Sequence, residues 1–170
     1  MTKKEITEIL VCGNSCIIPV GGRALGVTTF QAFLSIRPVL KGRLYWNALR
    51  RAYEHSDDLY HYRYDIKEVF KRDEPDRDSM MNKKERDYLQ KLPDKITIYR
   101  GMTKKEYQSK EFGISWSLKK EKAEYFAFKY GRNFSTYRLK KTVHQVTINK
   151  KDVIAFLNGR EEYEIIYLGK

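Results

Sequence analysis

The character of the chain changes at residues 93–101, PDKITIYRG. The segment opens with a Pro-Asp turn signal, and its β-branched run at 96–99 predicts a strand that ends at Arg100-Gly101. Four further strands are predicted over 114–117, 142–148, 153–156 and 163–168. One helix is predicted over 119–130, between the second and third strands, because Ala123, Phe126 and Ala127 share a face.

Helical patterns dominate before residue 93. Apolar side chains at helical spacing predict a first helix, through Leu44, Leu49 and Tyr53. Ser56, followed by two acids, is predicted to cap a second helix that runs toward Phe70, and Ser79 to cap a third through Leu92. Residues 1–38 contain glycines and apolar residues in a pattern that assigns no element firmly.

The composition predicts a soluble globular protein. Of the 170 residues, 41% are hydrophobic and 33% are charged, with both signs well mixed, which argues against disorder. The N-terminal residues mix Lys and Glu and form neither a signal peptide nor a membrane span, so we expect a cytoplasmic protein without a membrane partner. Cys12 and Cys16 match no zinc pattern, so we expect reduced thiols and no metal site.

The net charge of +12 is uneven along the chain. Residues from 96 onward hold 16 Lys and Arg against 8 Asp and Glu, whereas the first 95 hold 18 against 14. Such an excess attracts phosphate-bearing partners. The aromatic and basic run at 60–64 is similar to single-strand nucleic-acid surfaces, but on a helix these residues fan around the axis and several of them would pack, so a nucleic-acid role for this run is the weaker interpretation. The glycine-rich segment at 21–26 lacks the first Gly of a phosphate-binding loop and is discounted.

Three short motifs follow one another in the second half of the chain. They are Tyr99-Arg100-Gly101 at a strand end, Ser115-Trp116-Ser117 before a helix, and Glu162-Tyr163-Glu164 entering the last strand. In this order they resemble the Arg-Ser-Glu class of mono-ADP-ribosyltransferases, of the bacterial toxin and phage type. That class carries an Arg on the first core strand, a Ser-Thr-Ser-like segment, and a Glu-x-Glu turn. Trp116 departs from it, because Thr is usual there, and strand alternation predicts that the indole faces away from the bound ribose.

The resemblance implies an α+β fold. A mainly helical N-terminal region, 1–95, would pack on a split, mostly antiparallel β core, 96–170, as one compact unit. NAD, as substrate, would lie in the cleft between two small sheets of this core. The activity implied is cleavage of NAD and transfer of ADP-ribose, by a phage or bacterial effector.

Two carboxylates are the predicted catalytic groups. Cleavage of the bond between nicotinamide and ribose develops positive charge on the sugar, which a carboxylate stabilises. By position in the family motif this carboxylate is Glu164. Residues two apart on an extended segment face the same side, so Glu162 is predicted to orient or deprotonate the acceptor.

Six residues are predicted to bind NAD. The forked guanidinium of Arg100 suits the phosphates or the adjoining ribose, and Gly101 lets backbone approach closely. Ser115 is implied to offer its hydroxyl to the ribose and to Glu164, and Ser117 is placed beside it or at the cap of the next helix. Tyr125 and Phe126 are candidates to stack on nicotinamide or adenine, although Phe126 is the stronger candidate for the core.

The acceptor is less constrained by the sequence. The two-carboxylate motif favours arginine, and hence a protein acceptor over nucleic acid. Two alternatives stay open: a basic nucleic-acid-binding module without catalysis, and an NAD glycohydrolase in which water replaces the acceptor.

Overall fold

The computed structural model describes residues 29–56, 59, 62–130 and 139–169. The chain divides into two compact units, Met1–Met80 and Met81–Lys170. The expected boundary at 95 and 96 therefore falls inside the second unit. Cys12, Cys16 and the glycine-rich segment at 21–26 lie outside the described residues.

The described part of the first unit is helical. Its elements are α1 (Thr29–Ile36), α2 (Gly42–Glu54), α3 (Arg63–Lys71) and a 3₁₀ turn (Arg77–Met80). Helix α2 confirms the predicted first helix and buries Leu49 and Tyr53, but Leu44 is exposed. The predicted cap at Ser56 is wrong: α3 begins at Arg63, and the Ser56 hydroxyl donates back to the Ala52 carbonyl at 2.7 Å. Asp57 and Asp58 lie outside the described residues.

The second unit combines one sheet with short helices, so the fold is α+β. In chain order its main elements are α4 (Lys83–Lys91), β1 (Lys95–Thr103), α5 (Lys104–Ser109), β2 (Ser115–Ser117), α6 (Lys120–Glu124), a π-helical turn (Tyr125–Lys129), β3 (Lys141–Asn149), a 3₁₀ turn (Lys150–Asp152), β4 (Ala155–Leu157) and β5 (Glu164–Ile166). All five predicted strands are confirmed. Helix α5 was not predicted.

The strand order is β3-β1-β2-β5-β4, and every neighbouring pair is antiparallel. Strands β1 and β3 pair along nine residues, whereas the β1–β2 ladder is anchored at Tyr99 opposite Ser117. The short ladder joins a long two-stranded ribbon, β1–β3, to a group of three short strands, β2, β5 and β4. The described residues thus form one continuous sheet with a narrow central connection.

The cap of α4 differs from the prediction. Asn82, not Ser79, is the N-cap: its side chain accepts from the Glu85 amide at 3.0 Å, and Glu85 accepts from the Asn82 amide at 2.8 Å. This reciprocal arrangement satisfies two of the amides that a helix start leaves unpaired. Ser79 lies in the preceding 3₁₀ turn, which sequence pattern alone does not separate from α4.

The predicted helix over 119–130 is present but changes its winding. It starts as α6 and continues as the π-helical turn, where Ala127 is buried and Phe126 is only half-buried, against the expectation that Phe126 is core. Small residues face the sheet here because the backbones approach closely. A Cβ at Gly101 of β1 would lie 2.2 Å from the Ala123 carbonyl oxygen and 2.8 Å from the Ala127 nitrogen. Glycine is therefore required at 101 for packing.

None of the helices in the described part of the chain is both long and apolar enough to cross a membrane.

We expect Asn82→Ala to lower the free energy of unfolding by about 1 kcal/mol, because the Glu85 amide loses its side-chain acceptor. Ser79→Ala is the matched control and should not lower stability, since the Ser79 hydroxyl is buried without a hydrogen-bond partner among the described residues and its removal breaks no hydrogen bond. Urea denaturation measures both. A larger loss for Ser79→Ala would contradict the assignment of the cap.

Candidate active site

The sheet order brings the three sequence motifs together. Strands β1, β2 and β5 carry Arg100, Ser115 and Glu164, and they are three consecutive neighbours in the sheet. Ser117 is paired with Glu164 in the antiparallel β2–β5 ladder. Motifs separated by up to 64 positions in the sequence thus meet at the centre of one sheet.

A hydrogen bond joins Ser115 and Glu164. The Ser115 hydroxyl donates to Oε1 of Glu164 at 2.5 Å, and the Glu164 residue is only 5% exposed. Both side chains lie on one face of the sheet, because Ser115 and Ser117 alternate with Trp116 and Glu164 is paired with Ser117. This is the contact between serine and glutamate that the family resemblance implies. The result is a carboxylate held in a fixed orientation with little access to water.

Ser117 connects β2 to the turn before β5. Its hydroxyl donates to the Glu162 carbonyl at 2.7 Å and accepts from the Lys119 amide at 3.0 Å. The N-cap of α6 is Lys119, so Ser117 lies before the capping position and is not the N-cap of this helix. Its role here is to hold the backbone of the Glu162 turn against β2.

Arg100 is anchored on two sides. Its Nε donates to Oε1 of Glu106 at 2.7 Å, and its Nη1 donates to the Ser115 carbonyl at 2.6 Å. Oε1 of Glu106 also accepts from the Gly113 amide at 2.9 Å. A Cβ at Gly113 would lie 2.3 Å from Nη2 of Arg100, so a larger residue would force the guanidinium to shift from this position. Arg100 thus meets Ser115 through the backbone carbonyl, whereas the Ser115 hydroxyl faces Glu164.

Strand alternation places Arg100 on the sheet face opposite to that of Ser115 and Glu164. Arg100 is paired with His144 on β3, and on that face Trp116 is 3% exposed. The Trp116 ring lies 5.8 Å from that of Phe112 and 5.9 Å from that of His144. The pKa of His144 is lowered by desolvation and, to a lesser degree, by the charge of Lys110. Trp116 therefore points away from the Ser115 and Glu164 pair, as alternation predicts.

The Glu162 segment is not extended, contrary to the premise that places both carboxylates on one side. Strand β5 begins only at Glu164, and Glu161 and Tyr163 have left-handed φ angles of 57° and 51°. Side-chain alternation therefore does not apply across this turn. The Glu162 carboxylate is 3.0 Å from Nη2 of Arg160.

The aromatic candidates lie on the π-helical turn. Tyr125 is exposed and its ring centroid is 5.6 Å from that of the half-buried Phe126. π-helical turns occur often at functional sites because the added residue shifts the side chains along the helix. Gly101 contacts the backbone of this helix, as described above, so its contribution in the structure is to packing.

Glu106 and Gly113 are two site residues that sequence reasoning missed. Thr103 and Glu106 have the spacing of a capping box, and the Thr103 hydroxyl does accept from the Glu106 amide at 3.1 Å, which starts α5. That spacing could have revealed the helix. It could not have revealed that the Glu106 carboxylate binds Arg100, since this contact depends on how α5 folds back on β1.

The described residues contain no group of three or more His, Cys, Asp or Glu side chains that could hold a metal ion. No protein-family model matches the chain, and comparisons with curated proteins and with solved structures found no match.

We expect Glu106→Ala to lower the free energy of unfolding by about 1.5 to 3 kcal/mol, because Arg100 loses its charged partner and the Gly113 amide its acceptor. Glu111→Ala, on an exposed side chain of the loop that follows α5, should change the free energy of unfolding by less than about 0.5 kcal/mol. Urea denaturation compares the two variants. Equal effects would show that the Glu106 contacts add nothing to stability.

Proposed function

We propose that the second unit is a mono-ADP-ribosyltransferase that cleaves NAD and transfers ADP-ribose to an acceptor. One observation carries the proposal: the strands that bear Arg100, Ser115 and Glu164 are adjacent, and the Ser115 hydroxyl donates to Glu164 at 2.5 Å. A random set of three weak motifs has no reason to meet on neighbouring strands. The proposal also explains why a carboxylate is kept at a site that is only 5% exposed, where an ionised group is costly.

Glu164 is assigned the central catalytic role. When the bond between C1′ of the ribose and the nicotinamide nitrogen breaks, the electron pair leaves with nicotinamide and the ribose becomes oxocarbenium-like. A nearby carboxylate stabilises this charge more strongly where water is excluded, as it is at Glu164. Ser115 fixes the orientation of that carboxylate before the reaction begins.

Arg100 and Glu162 complete the proposed site. Arg100 acts from the opposite face of the sheet: it donates to the Ser115 carbonyl and so fixes β2 against β1, which keeps the Ser115 hydroxyl in place against Glu164. Glu162 lies on the turn, where its partly exposed carboxylate is able to meet an acceptor from solution. An arginine acceptor matches this carboxylate, since a guanidinium binds carboxylates through paired donors.

We expect Glu164→Gln to lower the rate of nicotinamide release about 100- to 1,000-fold, because the developing positive charge loses its counter-charge. Glu161→Gln is the matched control: it removes an exposed carboxylate three residues away and should leave the rate within about twofold. Chromatography of nicotinamide measures the rate, and circular dichroism checks folding. Wild-type protein that releases no nicotinamide, and instead binds RNA with steep salt dependence, would favour the binding-module alternative.

We expect Glu162→Gln to separate transfer from hydrolysis. Transfer to free arginine should fall about 100-fold or more, since the acceptor loses its base, whereas hydrolysis of NAD by water continues because bond cleavage depends on Glu164. Labelled NAD with and without arginine gives both rates. If the two rates fall together, Glu162 belongs to the NAD site or to the fold, and the assignment of arginine as acceptor is wrong.

A further inference from the structure

Arg160 places a guanidinium of the chain itself beside Glu162. Its Nη2 lies 3.0 Å from Oε2 of Glu162, and the two side chains are 56% and 23% exposed. An arginine acceptor oriented by Glu162 would make the same contact. Exposed ion pairs in general contribute little to the stability of a fold, so a contribution to stability does not account for the ion pair of Arg160 and Glu162.

The turn that carries both residues is fixed by backbone hydrogen bonds. The side-chain oxygen of Asn158 accepts from the backbone amide of Tyr163 at 3.0 Å. The backbone carbonyl of Asn158 accepts from the backbone amide of Glu161 at 3.1 Å. The backbone amide of Asn158 donates to Oε1 of Glu85 at 2.9 Å, and Glu85 is only 3% exposed. The backbone at 158–163 is therefore anchored to α4, and Arg160 and Glu162 stay within reach of one another.

We propose that Arg160 is an acceptor of ADP-ribose in the same chain, so that the protein modifies itself. The inference rests on the proposed function, with Glu162 as the group that orients the acceptor. Because Arg160 is attached to the chain two residues before Glu162, the effective concentration of its guanidinium at the Glu162 carboxylate is on the order of millimolar or more. Arg160 therefore competes with external acceptors that are present at lower concentration.

The reaction balances without any reactant other than NAD. The bond between C1′ and the nicotinamide nitrogen breaks, and nicotinamide leaves with the electron pair. Nη2 of Arg160 forms a new bond to C1′, and the guanidinium gives one proton to the Glu162 carboxylate and then to water. The products are nicotinamide, a proton and ADP-ribosyl-Arg160.

The test incubates the full chain with NAD and maps its modified peptides by mass spectrometry, after digestion with a protease that does not cleave at arginine. We expect ADP-ribose on Arg160 in the wild type and its loss from position 160 in Arg160→Lys, which keeps the charge but removes the guanidinium. Arg43→Lys, which removes an exposed guanidinium on α2, is the matched control and should keep the label on Arg160.

Two further readouts separate this inference from the proposed function. Transfer to free arginine should rise in Arg160→Lys, because the internal competitor is absent, and the fraction of chains labelled per minute should not depend on protein concentration. A wild type that transfers ADP-ribose to free arginine but leaves Arg160 unlabelled, or a labelling rate proportional to protein concentration, would overturn the inference alone. A wild type that neither releases nicotinamide nor labels any acceptor would overturn the proposed function as well.

Discussion

The antiparallel pairing that seats β2 between β1 and β5 is the constraint on which the candidate site depends. Strand β2 has three residues, and each is fixed by another element: the Ser115 hydroxyl by Glu164, the Trp116 ring by an aromatic cluster, and the Ser117 hydroxyl by the Glu162 carbonyl. Because side chains alternate along a strand, the two serines share one face and the indole occupies the other. A shift of one residue in register would exchange these faces and separate Ser115 from Glu164.

Charged groups in the second unit are held in a connected series. Glu106 accepts from Arg100, Arg100 donates to the Ser115 carbonyl, and Ser115 donates to Glu164. Removing charges from water costs several kcal/mol unless they are paired and hydrogen-bonded, so the loss of one partner leaves the neighbouring charge without compensation. It also fixes geometry. The same contacts that compensate for burial hold the Glu164 carboxylate in one orientation.

The two carboxylates of the Glu-x-Glu motif have different environments. Glu164 lies within the sheet at 5% exposure, whereas Glu162 lies on a turn with left-handed residues on either side and faces Arg160. Two groups of the same type acquire separate chemical roles when one is shielded from water and the other is accessible. In the proposed transferase this difference corresponds to a group that stabilises the ribose and a group that meets the acceptor.

The sequence by itself determined the five strands, the helix after β2 and the order of the three motifs. These features follow from local signals: β-branched runs, turn residues and helical periodicity act over a few residues. Local signals predicted helix starts less well, since Asn82 and not Ser79 caps α4. They also missed the Glu162 turn, because the residues with left-handed φ angles in it are not glycines and so give no turn signal. Only the tertiary structure decided that Gly101 packs against the helix backbone, that Glu106 holds Arg100, and that Arg160 lies beside Glu162. Such contacts depend on chain direction and close approach in space, which are set when strands pair and helices pack and are not encoded in the spacing of residues along the chain.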